Sequence, residues 1–411
     1  MNRSHLAAWV LMGSILTASL CVQPIAAQIV PDNTLPAGER SQVSGNSTIQ
    51  IDGGARRGGN LFHSFNQFSI PTGGSAFFNN AADVQNIFSR VTSGSSSNIN
   101  GVIRANGTAN LFLFNPNGIL FGSNASLNIG GSFVATTAGA IGFPNGEVFS
   151  SDATQPLPSQ LLTVNPNVLF FNQLTPKSIV NQSTANNGTG LQVPGGQSLL
   201  LVGGDVRLEG GQIVSPGSRV ELGAVAGQGS VGLSEAAGEW RLTVPDSVTR
   251  SDVFLSNGSI VSVRGGGGGS IAITARNLTL SEVSRLRAGI NDGLGFAGAQ
   301  VGDIEINATE TINLDGSTIG NVVRPRGIGN VGNISITTGA LALTRGSQLD
   351  VSTSGQGNAG SVNINARDTV SLERSTVFNE VRQTSIGNTG GINITTGSLI
   401  LKDVEFIVPA R

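Results

Sequence analysis

The last third of the chain alternates apolar and polar residues in short segments that are separated by glycine-rich turns. Segments that begin near Gly269, Gly302, Gly332, Gly360 and Gly390 share one pattern and lie about 30 residues apart. In each segment an alternating strand is followed by a small turn and then by further alternating strands, as expected of half-buried β-structure. Repeats of this length with glycine at the corners predict coils of a parallel β-helix, in which equivalent residues of successive coils stack.

A different pattern surrounds residue 115. The runs 111–114 and 119–121 are apolar at every position, which predicts strands that are covered on both faces of the pleat. Between them, residues 115–118 read NPNG, in which proline presets φ, asparagine tolerates the next turn position and glycine can adopt a positive φ. The pattern predicts a buried hairpin of which only the turn is exposed.

The rest of the chain completes this picture. Most of the 18 Phe residues fall between Phe62 and Phe171, and an aromatic-rich beginning would cover the otherwise open edge of a first coil. Residues 191–264 have the same strands and glycines in less regular units, which we interpret as irregular coils. Residues 265–411 form the repeats of about 30 residues, and their shorter last unit is typical of a truncated solenoid. The predicted fold is all-β, a right-handed parallel β-helix with an aromatic-rich amino-terminal capping region.

Composition narrows the class of protein. Charged residues make up 12% of the chain, the formal net charge is −2 and mean hydropathy is +0.11, which excludes a disordered chain and does not favour nucleic acid as a partner. Residues 1–27 contain an early arginine, an apolar run and a small-residue end, the pattern of a secretory signal peptide. The one cysteine, Cys21, lies within that segment. The mature chain is therefore predicted to hold together without disulfides.

The sequence contains few candidate catalytic residues. His63 is the only histidine after residue 27, and it lies in an aromatic strand, which favours a structural role. Two acidic pairs, Asp303 with Glu305 and Asp403 with Glu405, have the spacing that points both side chains to one side of a strand. Such pairs are usually solvated, but acidic residues in a groove are also how β-helix lyases and glycosidases work. We therefore expect no enzyme activity, no cofactor and no metal site, with a secreted β-helix polysaccharide lyase or hydrolase as the alternative.

The region 61–138 resembles a known family. The stretches FHSFNQFSIPTGGSAFFNN, IFSRVTSGSSSNINGVIRANGTANLFLFNPNGILFG and ASLNIGGSFVATTA are similar to the amino-terminal secretion domain of filamentous-haemagglutinin-like exoproteins of two-partner secretion, of the cyanobacterial type. The resemblance covers residues 28–190, which we predict to be the secretion domain. A second family element, Asn-Pro after VTSG, is degenerate, because Ser95 and Ser96 stand at those positions.

The resemblance implies a partner and a site. It implies export through an outer-membrane transporter whose POTRA domains bind the exoprotein in the periplasm of a Gram-negative-type bacterium. The matching secretion motif consists of Asn115, Pro116, Asn117, Gly118 and Ile119. It further implies a secreted or cell-surface protein that acts as an adhesin, as many members of the family do, and that binds a cell-surface or polysaccharide receptor. A purely structural sheath component is a third hypothesis.

Overall fold

The structure, a computed structural model, describes residues 28–155, 162–382 and 385–408, and the predicted signal peptide lies outside these ranges. Nearly all of its regular structure is β-strand. The strands of the first part are β1 Gln28–Pro31, β2 Ser41–Ser44, β3 Thr48–Gly53, β4 Ala55–Arg57, β5 Asn60–Ser69, β6 Ser75–Phe78, β7 Asn86–Val91, β8 Ser97–Ile99, β9 Val102–Ala105, β10 Asn110–Phe114, β11 Ile119–Phe121, β12 Ser126–Asn128, β13 Phe133–Thr136, β14 Ala140–Gly142 and β15 Val148–Ser150.

The later strands follow without a long helix between them. They are β16 Val168–Phe171, β17 Ile179–Asn181, β18 Ser198–Gly203, β19 Val206–Glu209, β20 Gln212–Val214, β21 Arg219–Ala224, β22 Gly229–Ala236, β23 Glu239–Thr243, β24 Val253–Ser256, β25 Ile260–Ser262, β26 Ser270–Leu280, β27 Arg285–Ile290, β28 Gly295–Gln300, β29 Ile304–Asp315, β30 Thr318–Val323, β31 Ile328–Asn330, β32 Ile334–Thr344, β33 Gln348–Asp350, β34 Val362–Phe378 and β35 Ile392–Ile407. Two short helical turns, Ala37–Glu39 and Ala185–Gly188, are also present. No helix in the described ranges is long and apolar enough to cross a membrane.

Equivalent strands of successive coils pair in parallel on three faces. On the first face β10 lies between β7 and β13, with Leu111 opposite Ile87 and Phe133. On the second face β11 lies between β8 and β17. The third face contains β3, β6, β9 and β12 in the early coils and β20, β25, β27, β30 and β33 in the later ones. This arrangement confirms the predicted parallel β-helix.

The late coils are stacked in the register that the glycine pattern predicts. Ile304 lies opposite Ile271 on one side and Ile334 on the other. Successive corner glycines approach so closely that a Cβ on Gly332 would lie 2.3 Å from the carbonyl oxygen of Gly302. A side chain larger than hydrogen would therefore force the coils apart at this corner.

A second apolar core lies outside the helix. The antiparallel sheet of β15, β14, β16, β22 and β23 covers the outer side of the first face. Phe62, Phe88 and Phe112 point into this second core from β5, β7 and β10, and Trp240 closes it from β23. The neighbouring residues of the same strands point into the main core. The first-face strands are thus buried on both sides, as their uninterrupted apolar sequence predicts.

Antiparallel strands close the amino-terminal end. β1 pairs with β5, β2 with β3 and β4 with β5, so the edge of the first coil is covered instead of open. Phe65, Phe68 and Phe78 pack against one another beneath this cover. The aromatic-rich cap that the Phe distribution predicts is therefore present.

Candidate functional site

The NPNG segment is a corner of the β-helix, and the predicted hairpin is wrong. In the described part of the chain β10 pairs only with β7 and β13, and β11 only with β8 and β17. The chain turns at residues 115–118 from the first face to the second face of the same coil. The two flanking strands are apolar because each of them stacks between coils, and this arrangement produces the same apolar pattern as two strands that pair with each other.

The corner is also more buried than predicted. Asn115 is 0% exposed, and Pro116, Gly118 and Ile119 are buried, so that Asn117 is the only one of the five motif residues that is partly exposed. Asn115 Oδ1 accepts the Asn117 N–H at 2.9 Å, and the Asn115 carbonyl accepts the Gly118 N–H at 3.1 Å. These two bonds close the turn from within, and Gly118 has the positive φ of 106° that the motif predicts.

The same side chains tie the corner to the preceding coil. Asn115 Nδ2 donates to the Ser95 carbonyl and to Ser97 Oγ, both at 3.0 Å. Asn117 Nδ2 donates to the Ser93 carbonyl at 2.6 Å. The degenerate second element and the first element are therefore in direct contact, joined through backbone carbonyls that any residue could supply. The contact therefore does not require the Asn-Pro side chains, in whose place Ser95 and Ser96 stand.

The following loop covers the other side of the corner. Gln173 Nε2 donates to the Pro116 carbonyl at 3.0 Å. Ile119 N–H donates to the Ser178 carbonyl at 3.3 Å. Leu174, beside this contact, is 84% exposed. In the folded protein the surface at this corner therefore includes Asn117, the exposed residues 94–96 and the loop around Leu174, while Asn115 is inaccessible.

A repeated triplet in the sequence marks how the coils around residues 115–118 stack. The triplets NLF, NIF and NLF begin at Asn60, Asn86 and Asn110. Their asparagines form a ladder in which Asn86 Nδ2 donates to Asn60 Oδ1 and Asn110 Nδ2 donates to Asn86 Oδ1, both at 2.9 Å. Aligning the chain on these asparagines places Ser93 beside Asn117, the contact that the structure contains. The later NPNV segment is joined to the ladder, since Asn165 Oδ1 accepts from Asn86 Nδ2.

His63 lies inside the first coil. Its side chain is 1% exposed and packs between Phe65 and Phe78. Nδ1 is 3.1 Å from Ser41 Oγ, and Nε2 has no hydrogen-bond partner among the described residues. Burial lowers the pKa of His63 to about 3. The ring is therefore neutral at physiological pH and inaccessible to a substrate.

The acidic pairs do not line a groove. Glu305 is exposed, and Asp303 accepts the Asn333 backbone N–H at 2.7 Å. Asp403 and Glu405 are both exposed on the last strand. Their positions are those of solvated strand faces, and no described group of three metal-ligating side chains accompanies them.

One buried residue that sequence reasoning missed is Arg90. Its side chain is 0% exposed, and its guanidinium donates to Ser64 Oγ at 2.8 Å, to Thr34 Oγ1 at 2.7 Å and to the Ser150 carbonyl. Asp32 accepts from the hydroxyls of Thr34 and Ser64, both at 2.6 Å. Arg90 thus connects the cap, the first two coils and the outer sheet.

The fold is thus a parallel β-helix with an antiparallel cap and an added outer sheet. The profile of the TPS secretion domain family matches residues 27–273, and the chain belongs to this family. The crystal structure of the HMW1 secretion domain from Haemophilus influenzae is similar, with 18% sequence identity and a TM-score of 0.57, over 93% of this chain and all of that chain.

A filamentous hemagglutinin secretion domain also aligns, with 16% identity and a TM-score of 0.34 over 93% of this chain and 99% of that chain. No curated protein sequence matches the chain significantly. Membership of the family makes the chain an exoprotein of a two-partner secretion system, delivered to the cell surface or the extracellular space, and makes an outer-membrane transporter its partner.

Proposed function

We propose that Asn115, Pro116, Asn117, Gly118 and Ile119 form the element through which the transporter recognises this exoprotein, and that it is read in the unfolded chain. The observation that carries this proposal is the burial of Asn115, whose polar atoms are all used within the fold. A partner cannot reach this side chain without displacing two coils. Before folding, the chain is extended and the same side-chain amides are free to form hydrogen bonds with the transporter, for example with a POTRA domain in the periplasm.

An export experiment tests this proposal. The full chain is expressed in a Gram-negative host with and without the transporter, together with Asn115→Ala and Asn117→Ala. We expect transporter-dependent release into the medium, and release that is reduced about tenfold or more in both variants, because each loses recognition bonds worth about 1.5 kcal/mol or more. Mature protein in medium and periplasm is quantified by immunoblot.

Asn181→Ala is the matched control. Asn181 is also 0% exposed at a corner, and its Oδ1 accepts the Ser183 N–H at 3.0 Å in the same kind of turn. Because it lies outside the motif, its replacement should destabilise the fold without reducing export. Equal loss of export in Asn115→Ala and Asn181→Ala would instead mean that the motif acts only by stabilising the folded domain.

A binding measurement distinguishes recognition of the unfolded chain from recognition of the folded corner. The transporter's periplasmic domains are mixed with the chain freshly diluted from urea or with folded chain, and Leu174→Asn is included because Leu174 is an exposed large apolar side chain at the folded corner. We expect the unfolded chain to bind and Leu174→Asn to bind normally. Binding of the folded chain that Leu174→Asn abolishes would contradict reading in the unfolded state.

We further propose that the exported protein attaches cells to a surface and has no catalytic activity. The solvated positions of the acidic pairs and the inaccessibility of His63 support this over the lyase or hydrolase alternative. Incubation of purified protein with cells and polysaccharides should give binding without release of products. Release of oligosaccharides that stops in Glu305→Gln would reverse the assignment.

A further inference from the structure

Four arginines on the later coils of the third face make no ion pair with a described carboxylate. Most arginines in the described ranges contact a carboxylate, as Arg276 contacts Asp252 at 2.7 Å and Arg326 contacts Asp292. Arg40, Arg90 and Arg104 in the first part of the chain also have no such partner among the described residues, and the other four described arginines without one lie together on neighbouring later coils. They are Arg264, Arg285, Arg287 and Arg324.

Strand register brings these arginines together. Arg285 and Arg287 alternate with the buried Leu286 and Ala288 in β27, so both point outward. Arg287 lies opposite Ser262 on one side and Gly320 on the other. Arg264 follows β25, and its Nε donates to the Ala288 carbonyl at 3.4 Å. Arg324 follows β30, and its backbone N–H donates to the Ile290 carbonyl of β27 at 2.9 Å. The four arginines therefore share one patch of β-sheet surface, which we call the arginine cluster.

The charges in the cluster repel one another. Burial together with the neighbouring Arg324 and Arg287 guanidiniums lowers the pKa of Arg264 to about 10. Burial, Arg285 and Arg324 lower the pKa of Arg287. The acid nearest in register, Asp350, is occupied by Arg382 at 3.2 Å. Asp350 offsets part of this repulsion at Arg264, but keeping four like charges beside one acid that is shared with Arg382 costs free energy, which an anionic ligand would recover.

We propose that the arginine cluster binds the anionic groups of an acidic polysaccharide. Arg285 and Arg287 are about 7 Å apart along one strand, and Arg264 is a diagonal neighbour of Arg287 on the adjacent strand at about 7 to 8 Å, an array that suits the repeated charges of a linear sugar chain. The residues between them are Ser262, Thr318 and Gly320, which offer hydroxyls and no rings on which nucleic-acid bases could stack. The proposal rests on the extracellular destination of the protein and names a ligand for its attachment role.

Purified, refolded full-length protein tests the proposal without depending on export. Binding is measured by calorimetry against polygalacturonate oligomers, heparin oligomers, dextran and a single-stranded oligonucleotide of equal charge. We expect binding to an acidic glycan that weakens with salt, with the uronate and sulfate probes identifying the anionic group. Arg287→Gln should weaken it about tenfold, as expected for the loss of one charged hydrogen bond.

Gly320→Asp gives an independent test. A Cβ at Gly320 would make only ordinary contacts, 3.8 Å from Val322 and 3.9 Å from the Asp350 carbonyl, so the variant should fold. Its carboxylate would neutralise Arg287 and should abolish glycan binding, whereas Gly320→Asn should not. Arg367→Gln, which removes an ion-paired arginine elsewhere, should leave binding unchanged. Equal loss in Arg367→Gln, unchanged binding in Gly320→Asp, or tighter binding of the oligonucleotide would overturn the proposal.

Discussion

Replacing Arg90 by methionine is expected to lower the free energy of unfolding by about 3 to 5 kcal/mol, the usual loss when one member of a buried charged network is removed. Three hydrogen bonds from the guanidinium are lost, and the buried Ser150 carbonyl loses the donor that Arg90 supplies. The guanidinium also lies 4.4 Å from the centre of the Phe149 ring, so packing is lost as well. Methionine fills part of the volume but offers no donor.

Trp240 provides the measurement. It is the only tryptophan after residue 27, it is fully buried, and its ring lies 5.1 Å from that of Phe112 in the second core. Its fluorescence during urea unfolding therefore reports the region that Arg90 holds together. Urea titrations of wild type and variant at one pH give the difference in stability.

Arg104→Met is the control for Arg90→Met. Arg104 also lies over a phenylalanine, 5.2 Å from the centre of Phe77, but it is exposed. Its loss should cost less than about 1 kcal/mol because water already solvates the charge. Similar midpoints for the two variants would mean that Arg90 does not hold the cap, the coils and the outer sheet together.

Acidification is expected to destabilise the folded protein through His63. Its pKa in the folded protein is about 3, below its ordinary value of 6.5, so the unfolded chain binds a proton that the folded chain excludes. The contribution of His63 to the free energy of unfolding is therefore complete above pH 6.5. It falls by about 1.4 kcal/mol for each pH unit below that value and levels off near pH 3. Above pH 6.5 this residue should cause no pH dependence.

His63→Asn identifies this contribution. Asparagine does not titrate and can still pair with Ser41 Oγ, so the variant should lose most of the slope between pH 6 and pH 4 while carboxylates contribute equally to both proteins. Stability is followed by urea unfolding at each pH. Parallel curves for wild type and His63→Asn would show that the imidazole is protonated in the folded state.

Sequence patterns predicted the local structure well. Alternation and glycine corners indicated a parallel β-helix, the Phe distribution indicated the cap, and the motif residues with their flanks indicated the secretion family. The error at residues 115–118 has a definite cause. A turn between two fully apolar strands fits a hairpin and a β-helix corner equally well, because the sequence near the turn does not record which strands are neighbours.

Contacts across long sequence separations were not predictable. Arg90 meets Thr34 and Ser150, which lie 56 and 60 residues away. The second core joins Phe112 to Trp240 across an even larger separation. The arginine cluster likewise arises from three coils whose register becomes known only when the strands are paired.

By itself the sequence determined the strand period, the glycine corners of the late coils, the cap and the family, because these depend on residue types that are close along the chain. The tertiary structure alone decided that Asn115 is buried, that Arg90 bridges three elements and that four arginines share one face without ion-pair partners among the described residues. The physical reason is that burial and electrostatic environment depend on which coils and sheets stack, and stacking joins residues that lie one or more coils apart.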